Sequence, residues 1–199
     1  MLEPGFHAVP RGHVATIVTH LEMRRPAAPR PEAEGLTGRL RLRRAERPGR
    51  DWYRGLFRRV GQDWLWFSRL AMSDAALDEV LHDPGVHVYG LLDDIHEVGL
   101  LELDFRQDGA CELAFFGLVP GHVGGGVGRW LMNRAVELAW AHPIRRFHVH
   151  TCTLDHPAAL EFYRRSGFTP VRQEVEIAPD PRLTGVFPDS AAPHVPILR

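Results

Sequence analysis

No lysine occurs among the 199 residues, so all 24 strongly basic side chains are arginines. That absence removes the Walker-type phosphate loop, which needs a lysine next to its Ser/Thr. Cysteine is scarce. The two that occur, Cys111 and Cys152, fall in predicted strands, which points to a reducing compartment and away from a disulfide scaffold. No apolar run is long enough to span a bilayer and no signal-peptide pattern opens the chain, so a cytoplasmic protein without a membrane partner is expected. There is no internal repeat. With 44% hydrophobic residues the chain has material for one well-packed domain.

The net charge of −1 hides an asymmetry. Residues 1–70 hold 14 arginines against 7 acids, and residues 71–199 hold 10 against 18. Nine of those arginines lie between Arg39 and Arg59. An arginine-rich nucleic-acid surface is one reading. Interspersed acids, Glu46 and Asp51, favour a solvated strand edge and helix face instead, so nucleic acid is not the expected partner.

What the chain does have is glycine at one place. Gly124-Gly125-Gly126-Val127-Gly128-Arg129 follows an apolar run ending at Pro120 and opens an amphipathic segment that closes near Trp140. Strand, glycine loop and helix in that order make an anion site. The glycines let a ligand approach the main chain, and the first-turn N–H groups point at it. The dinucleotide fingerprint requires another glycine where Arg129 or Leu131 stands, and it lacks its acid, so a Rossmann fold is not supported.

The loop resembles motif A of the GCN5-related N-acetyltransferases, Gln/Arg-x-x-Gly-x-Gly/Ala, with Gly126 and Gly128 as its glycines and Val123 replacing the Gln/Arg. A second stretch strengthens the resemblance. Asp155-His156-Pro157-Ala158-Ala159-Leu160-Glu161-Phe162-Tyr163, continuing to Gly167-Phe168, is similar to Asn-x-x-Ala-x-x-x-Tyr-x-x-x-Gly-Phe, with His156 in the Asn position. Here Asp155 or His156 is expected to cap a helix, Pro157 to sit in its first turn, and Gly167 to end it.

The remaining pattern agrees. Strands are predicted over 14–21, 40–45, 86–92, 97–105, 111–119, 147–153 and 170–177, and helices over 52–60 and 74–81, the latter capped by Ser73. The expected fold is α/β: a mixed, mostly antiparallel sheet flanked by helices, the acyl-CoA N-acyltransferase arrangement. The acetyltransferase domain is placed at 39–177. Residues 1–38 supply an N-terminal strand and a proline-rich loop packed on it, and 178–199, with five prolines, an extended C-terminal tail.

The resemblance implies acetyl-CoA as co-substrate. Its pyrophosphate would lie on Gly124, Gly125, Gly126, Val127, Gly128 and Arg129, its pantetheine arm would pair with Leu118 and Val119, and His156 would border it. Tyr163 is then the acid that protonates the leaving thiolate. Glu112 is the base candidate, standing where histone-type members carry a glutamate. Period two would place it on one face with Ala114 and Phe116, where burial would raise its pKa. Backbone N–H groups near this strand would stabilise the thioester oxygen. The acceptor is a primary amine, on a small molecule or a peptide. The aromatic run Trp64 to Phe67 could line its pocket.

His148, His150 and Cys152 alternate on one strand, but three ligands from a single strand do not close a tetrahedron, so no metal is expected. The off-pattern Val123 and His156 leave a second reading, a non-catalytic CoA-binding member of the same fold. Dimers are frequent in the superfamily, so a homodimer is among the states the resemblance allows.

Overall fold

The computed structural model describes residues 3–36 and 38–199; Met1, Leu2 and Thr37 of the N-terminal segment lie outside the described residues. Seven strands form one sheet: β1 (His13–Met23), β2 (Leu40–Ala45), β3 (Val86–Asp93), β4 (His96–Asp104), β5 (Ala110–Leu118), β6 (Arg146–Cys152) and β7 (Thr169–Pro179). Their order across the sheet is β2-β3-β4-β5-β6-β1-β7. Every neighbouring pair is antiparallel except β5 and β6, which run parallel.

Helices cover both faces. Helices α1 (Arg50–Gly61) and α3 (Asp74–Leu81) bury Tyr53, Leu56, Phe57, Leu77 and Leu81 against Val88 and Leu100. Ser73 caps α3 as its position predicts, accepting from the Ala76 N–H at 3.3 Å. On the other face, α4 (Val127–Trp140) and α5 (Ala159–Arg165) pack Leu131, Ala135, Tyr163 and Phe168 on Leu101, Leu103, Cys111, Leu113 and Phe147. Between α1 and α3 a 3-10 turn, Gln62–Trp64, leads to the short helix α2 (Ser68–Ala71), which the sequence pattern did not anticipate.

Strand β1 lies inside the sheet. It fills the slot between β6 and β7, antiparallel to both, with α5 as the crossover that carries β6 to β7. The chain's beginning therefore completes the sheet beside its end. Residues 180–199 fold back against the domain, burying Phe187, Ala191 and Ala192 with Val14 and Leu65.

Helix α5 begins later than the Asp155–Pro157 capping pattern predicts, at Ala159, and no side chain caps it. His156 Nδ1 accepts from the Ala158 N–H at 3.1 Å in the turn before the helix. Asp155 is drawn to the sheet instead, where it accepts from Thr151 Oγ1 at 2.7 Å and the Cys152 N–H at 2.8 Å. The Trp66 indole N–H is its third donor, and a carboxylate offered three donors stays with them. The C-terminal expectation holds: Gly167 has φ of +101° and the Phe168 N–H donates to the Tyr163 carbonyl at 3.1 Å.

Candidate active site

Strands β5 and β6 stay paired for three residues, from Ala110↔Arg146 to Glu112↔His148, and then part. The opening between them is a cleft of about 580 Å³. Its walls are β5 and the start of α4 on one side, the end of β6 and α5 on the other, with the segment 64–69 across one end.

Parting leaves one edge of β5 without a partner strand. The Val119 N–H donates to the Val98 carbonyl at 2.9 Å, and the Val119 carbonyl accepts from the His122 N–H. Val119 thus has no free main-chain group for a pantetheine arm. Antiparallel pairing alternates bonded and open residues, so Leu118 and Phe116 turn their N–H and C=O toward the cleft. Leu118 and Phe116, rather than Val119, are thus the residues of this edge with open main-chain groups.

A slip in the β4–β5 register explains why the predicted face of β5 is wrong. Leu103 pairs with Leu113 but Glu102 pairs with Phe115, leaving Ala114 as an extra residue. Such a bulge shifts the alternation by one. Cys111 and Leu113 face α4 before it, and Phe116 and Leu118 face that side after it, with Phe116 stacked on Phe162. Glu112 therefore points to the opposite face from Phe116. Its carboxylate meets His150 Nδ1 at 3.2 Å. The predicted pKa rise is reversed: the hydrogen bond from His150 holds Glu112 below the ordinary carboxylate range and raises His150 above ordinary imidazole. His148 is pushed down by burial.

The glycine loop is built as its sequence implies. Gly126 precedes α4 with φ of +85°, a left-handed conformation that aims the first-turn amides of Val127, Gly128 and Arg129 out of the helix. No atom lies within 4 Å of where a Cβ would stand on Gly124 or Gly125, so the loop borders open space. A phosphate fits there. The Arg129 guanidinium is not part of this cradle, because it donates to the Pro31 carbonyl at 2.9 Å on the proline-rich segment. Only its main chain faces the loop.

Tyr163 and His156 both line the cleft. Tyr163 is 7% exposed, and burial, with Asp155 nearby, raises its pKa far above that of an ordinary phenol. The hydroxyl is a neutral donor at every physiological pH. His156 packs edge-on against Trp64, ring centres 5.3 Å apart.

Trp64, Trp66, Phe67 and Phe115 line the cleft at the end away from the loop. Trp66 lies flat on β5 because residue 117 is glycine; a Cβ there would stand 2.4 Å from Val60 Cγ1 and 3.0 Å from the indole. The Trp66 indole N–H donates to Asp155 Oδ1 at 3.0 Å, tying this wall to β6. Beneath it, Arg69 donates to the fully buried Glu102 at 2.6 Å, and the Tyr53 hydroxyl donates to the other oxygen of that carboxylate. Sequence reading missed this triad. Its members are 16 to 49 residues apart and carry no spacing signal. Among the described residues no cluster of His, Cys, Asp and Glu is arranged to hold a metal, and no helix is long and apolar enough to cross a membrane.

A family model, the Acetyltransferase (GNAT) family, matches residues 49–168, more than half of the chain. This chain belongs to that family. Solved structures of the same fold include a GCN5-related N-acetyltransferase from Sphaerobacter thermophilus, 14% identical with a TM-score of 0.56. The match covers 84% of this chain and 53% of that protein, so the chain spans about half its length. An aminoglycoside acetyltransferase from an uncultured soil metagenomic sample is 15% identical with a TM-score of 0.54, covering 66% of this chain and 89% of that one. A chimera of the Vibrio cholerae spermidine N-acetyltransferase is 23% identical with a TM-score of 0.53, covering 66% and 81%. At such identities the likeness is one of fold. No curated protein matches the sequence.

Proposed function

We propose that this family member is an acetyl-CoA-dependent N-acetyltransferase acting on a primary amine. The observation that carries the reading is the parted β5–β6 pair, whose open edge runs straight into the left-handed glycine turn at the start of α4. Acetyl-CoA supplies the activated acetyl thioester. In this reading Phe116 and Leu118 hold the pantetheine arm through the open edge of β5. The amides from Gly124 to Arg129 hold the pyrophosphate, where the helix dipole adds to their attraction. His156 borders the arm from the α5 side.

The chemistry follows from the cleft. An ammonium acceptor must shed a proton, and the Glu112–His150 pair is the base: Glu112 takes the proton and His150, half-exposed, delivers it to water. Open-edge amides beside the Ala114 bulge stabilise the thioester oxygen as charge develops. The Tyr163 hydroxyl, neutral and facing the cleft, protonates the departing thiolate.

The acceptor end favours a cation with an apolar body. Glu112, Asp155 and Glu176 line it, and none of the three has an arginine partner among the described ion pairs. Aromatic rings form the opposite wall, a surface suited to an alkyl or aryl amine. The names of two structural neighbours, acting on an aminoglycoside and on spermidine, support an amine acceptor. The proposed catalytic unit includes β1 together with residues 39–179, because β1 fills a slot inside its sheet, and residues 180–199 pack against it.

Thermal unfolding with and without acetyl-CoA, beside NAD and ATP, tests this first. Acetyl-CoA at about 100 times its dissociation constant adds roughly 2.7 kcal/mol of stability. A shift with acetyl-CoA alone, followed by turnover on a panel of alkyl and aryl amines, supports the enzyme. A shift without turnover on any amine leaves a CoA-binding protein. No shift at millimolar ligand ends the reading.

A further inference from the structure

A fully buried and multiply bonded ion pair lies outside the residues that the family model matches. Asp180 and Arg182 have side chains only 1% exposed and meet in a two-pronged ion pair, Nε to Oδ1 at 2.9 Å and Nη2 to Oδ2 at 2.8 Å. The same guanidinium donates to the carbonyls of Ala191, Ala192 and Val195, the last at 2.8 Å. One arginine thus gathers a segment rich in proline that has no helix or strand to order it. A charge buried this way is costly to desolvate and is tolerated only where its hydrogen bonds are satisfied.

The tail packs against the aromatic wall of the cleft. Phe187, Ala191 and Ala192 form a small apolar core with Val14 and Leu65, and Phe67, Leu70 and Leu154 pack around it. Leu65 is 3% exposed and holds a left-handed backbone, φ +53° and ψ +40°, which a leucine adopts only when its surroundings enforce it. Its neighbours Trp64 and Trp66 line the cleft on the other side. Trp64 is also flanked by His156 of the cleft and His194 of the tail, ring centres 5.3 and 6.1 Å away.

We infer that the segment from Asp180 to Arg199, folded around Arg182, holds Leu65 in its strained turn and thereby fixes the Trp64–Phe67 wall that sets acceptor affinity. The segment is a positioning element for one half of the cleft. The glycine loop, on the far side, is independent of it. This inference rests on the acceptor reading of that wall, but its physical core, coupling of tail and turn, does not.

Two measurements separate those parts. Native-state hydrogen exchange on the unaltered protein reads the coupling directly. The Leu65 and Trp66 amides, bonded to the Gln62 and Gly61 carbonyls, are expected to open as one unit with the Phe187, Ala191 and Val195 amides of the tail. If Leu65 and Trp66 keep their protection in conditions where the tail has already opened, the inference is overturned. The kinetic test uses Phe187→Leu, which shrinks the side chain but keeps the tail core apolar, beside the harsher Arg182→Met. Both are expected to raise the acceptor KM by about tenfold, as misplacement of a positioning group does, with the KM for acetyl-CoA and the acetyl-CoA thermal shift unchanged. Unchanged acceptor KM in both variants, or equal loss for both substrates, overturns it. A wild-type protein that binds acetyl-CoA but acetylates no amine removes the acceptor reading, and the exchange pattern still decides the coupling.

Discussion

Glu112, in the last residue pair that joins β5 to β6, faces His150, two residues past its partner, at 3.2 Å. The pair follows from the β5–β6 register, which sets Glu112 level with His148 on the face where β6 presents its alternating histidines. Its titration has a definite sign. His150, raised by the hydrogen bond, contributes stability below the ordinary imidazole value and loses it as pH climbs through the raised one. Glu112, lowered by the same bond, contributes above the ordinary carboxylate value and loses it as pH falls. Both are fully in place between about pH 4.5 and 6.5, the ordinary values for the two groups.

Activity should follow the opposite limb. The pair can accept a proton only when His150 is neutral, so kcat/KM should rise with pH through a midpoint above that of ordinary imidazole. Glu112→Gln should move that midpoint downward and lower kcat by about a hundredfold. An NMR titration of His150 in the two proteins reads the shift independently. A midpoint unmoved by the substitution would take the pair out of catalysis.

Tyr163→Phe removes only a hydroxyl from a ring that remains buried. The expected result is a kcat loss of about a hundredfold with the acetyl-CoA thermal shift intact. Kinetics with a more acidic thiol leaving group should recover part of the rate, because that thiolate needs less protonation. Full activity in Tyr163→Phe would assign the ring to packing alone.

Two neighbouring glycines should respond differently. Gly126→Ala forces an L side chain into a left-handed backbone, about 1–2 kcal/mol, and sets its Cβ 2.9 Å from Ala33 Cβ. Melting temperature and acetyl-CoA affinity should both fall. Gly125→Ala meets no atom within 4 Å, so stability should change by less than about 0.5 kcal/mol. Its methyl group occupies the space proposed for pyrophosphate, and affinity should drop without loss of melting temperature. Calorimetry on the two variants distinguishes fold from ligand.

Arg69→Met strands the fully buried Glu102 carboxylate beside the Tyr53 hydroxyl, and denaturant unfolding should show a loss of about 3–5 kcal/mol. Adding Glu102→Gln to that variant should restore much of it, because a neutral amide no longer needs the guanidinium. Equal stability in the single and double variants would show that the ion is not what the triad stabilises.

Much of the fold was legible because it rests on short-range pattern. The glycine loop, the Ser73 cap and the Tyr163–Gly167 helix end each depend on residues a few positions apart, where rotation per residue and left-handed backbone preference act directly. Those features carried both family motifs and therefore the family itself. Tyr163 and the loop amides came with them.

The rest depended on contacts between distant parts of the chain. One unpaired residue, Ala114, turned Phe116 to the face opposite Glu112, and period-two counting is blind to a bulge because pairing with β4 creates it. The Val119 N–H is taken up by the Val98 carbonyl, 21 positions earlier. The place of β1 between β6 and β7, and the packing of Phe187 behind Leu65, involve partners more than 100 residues apart. The sequence by itself determined which local structures form, the left-handed glycine turn at the start of α4 among them. Which groups meet across the cleft was decided only by the tertiary structure, because sheet pairing and side-chain packing select among faces that local preference leaves equivalent.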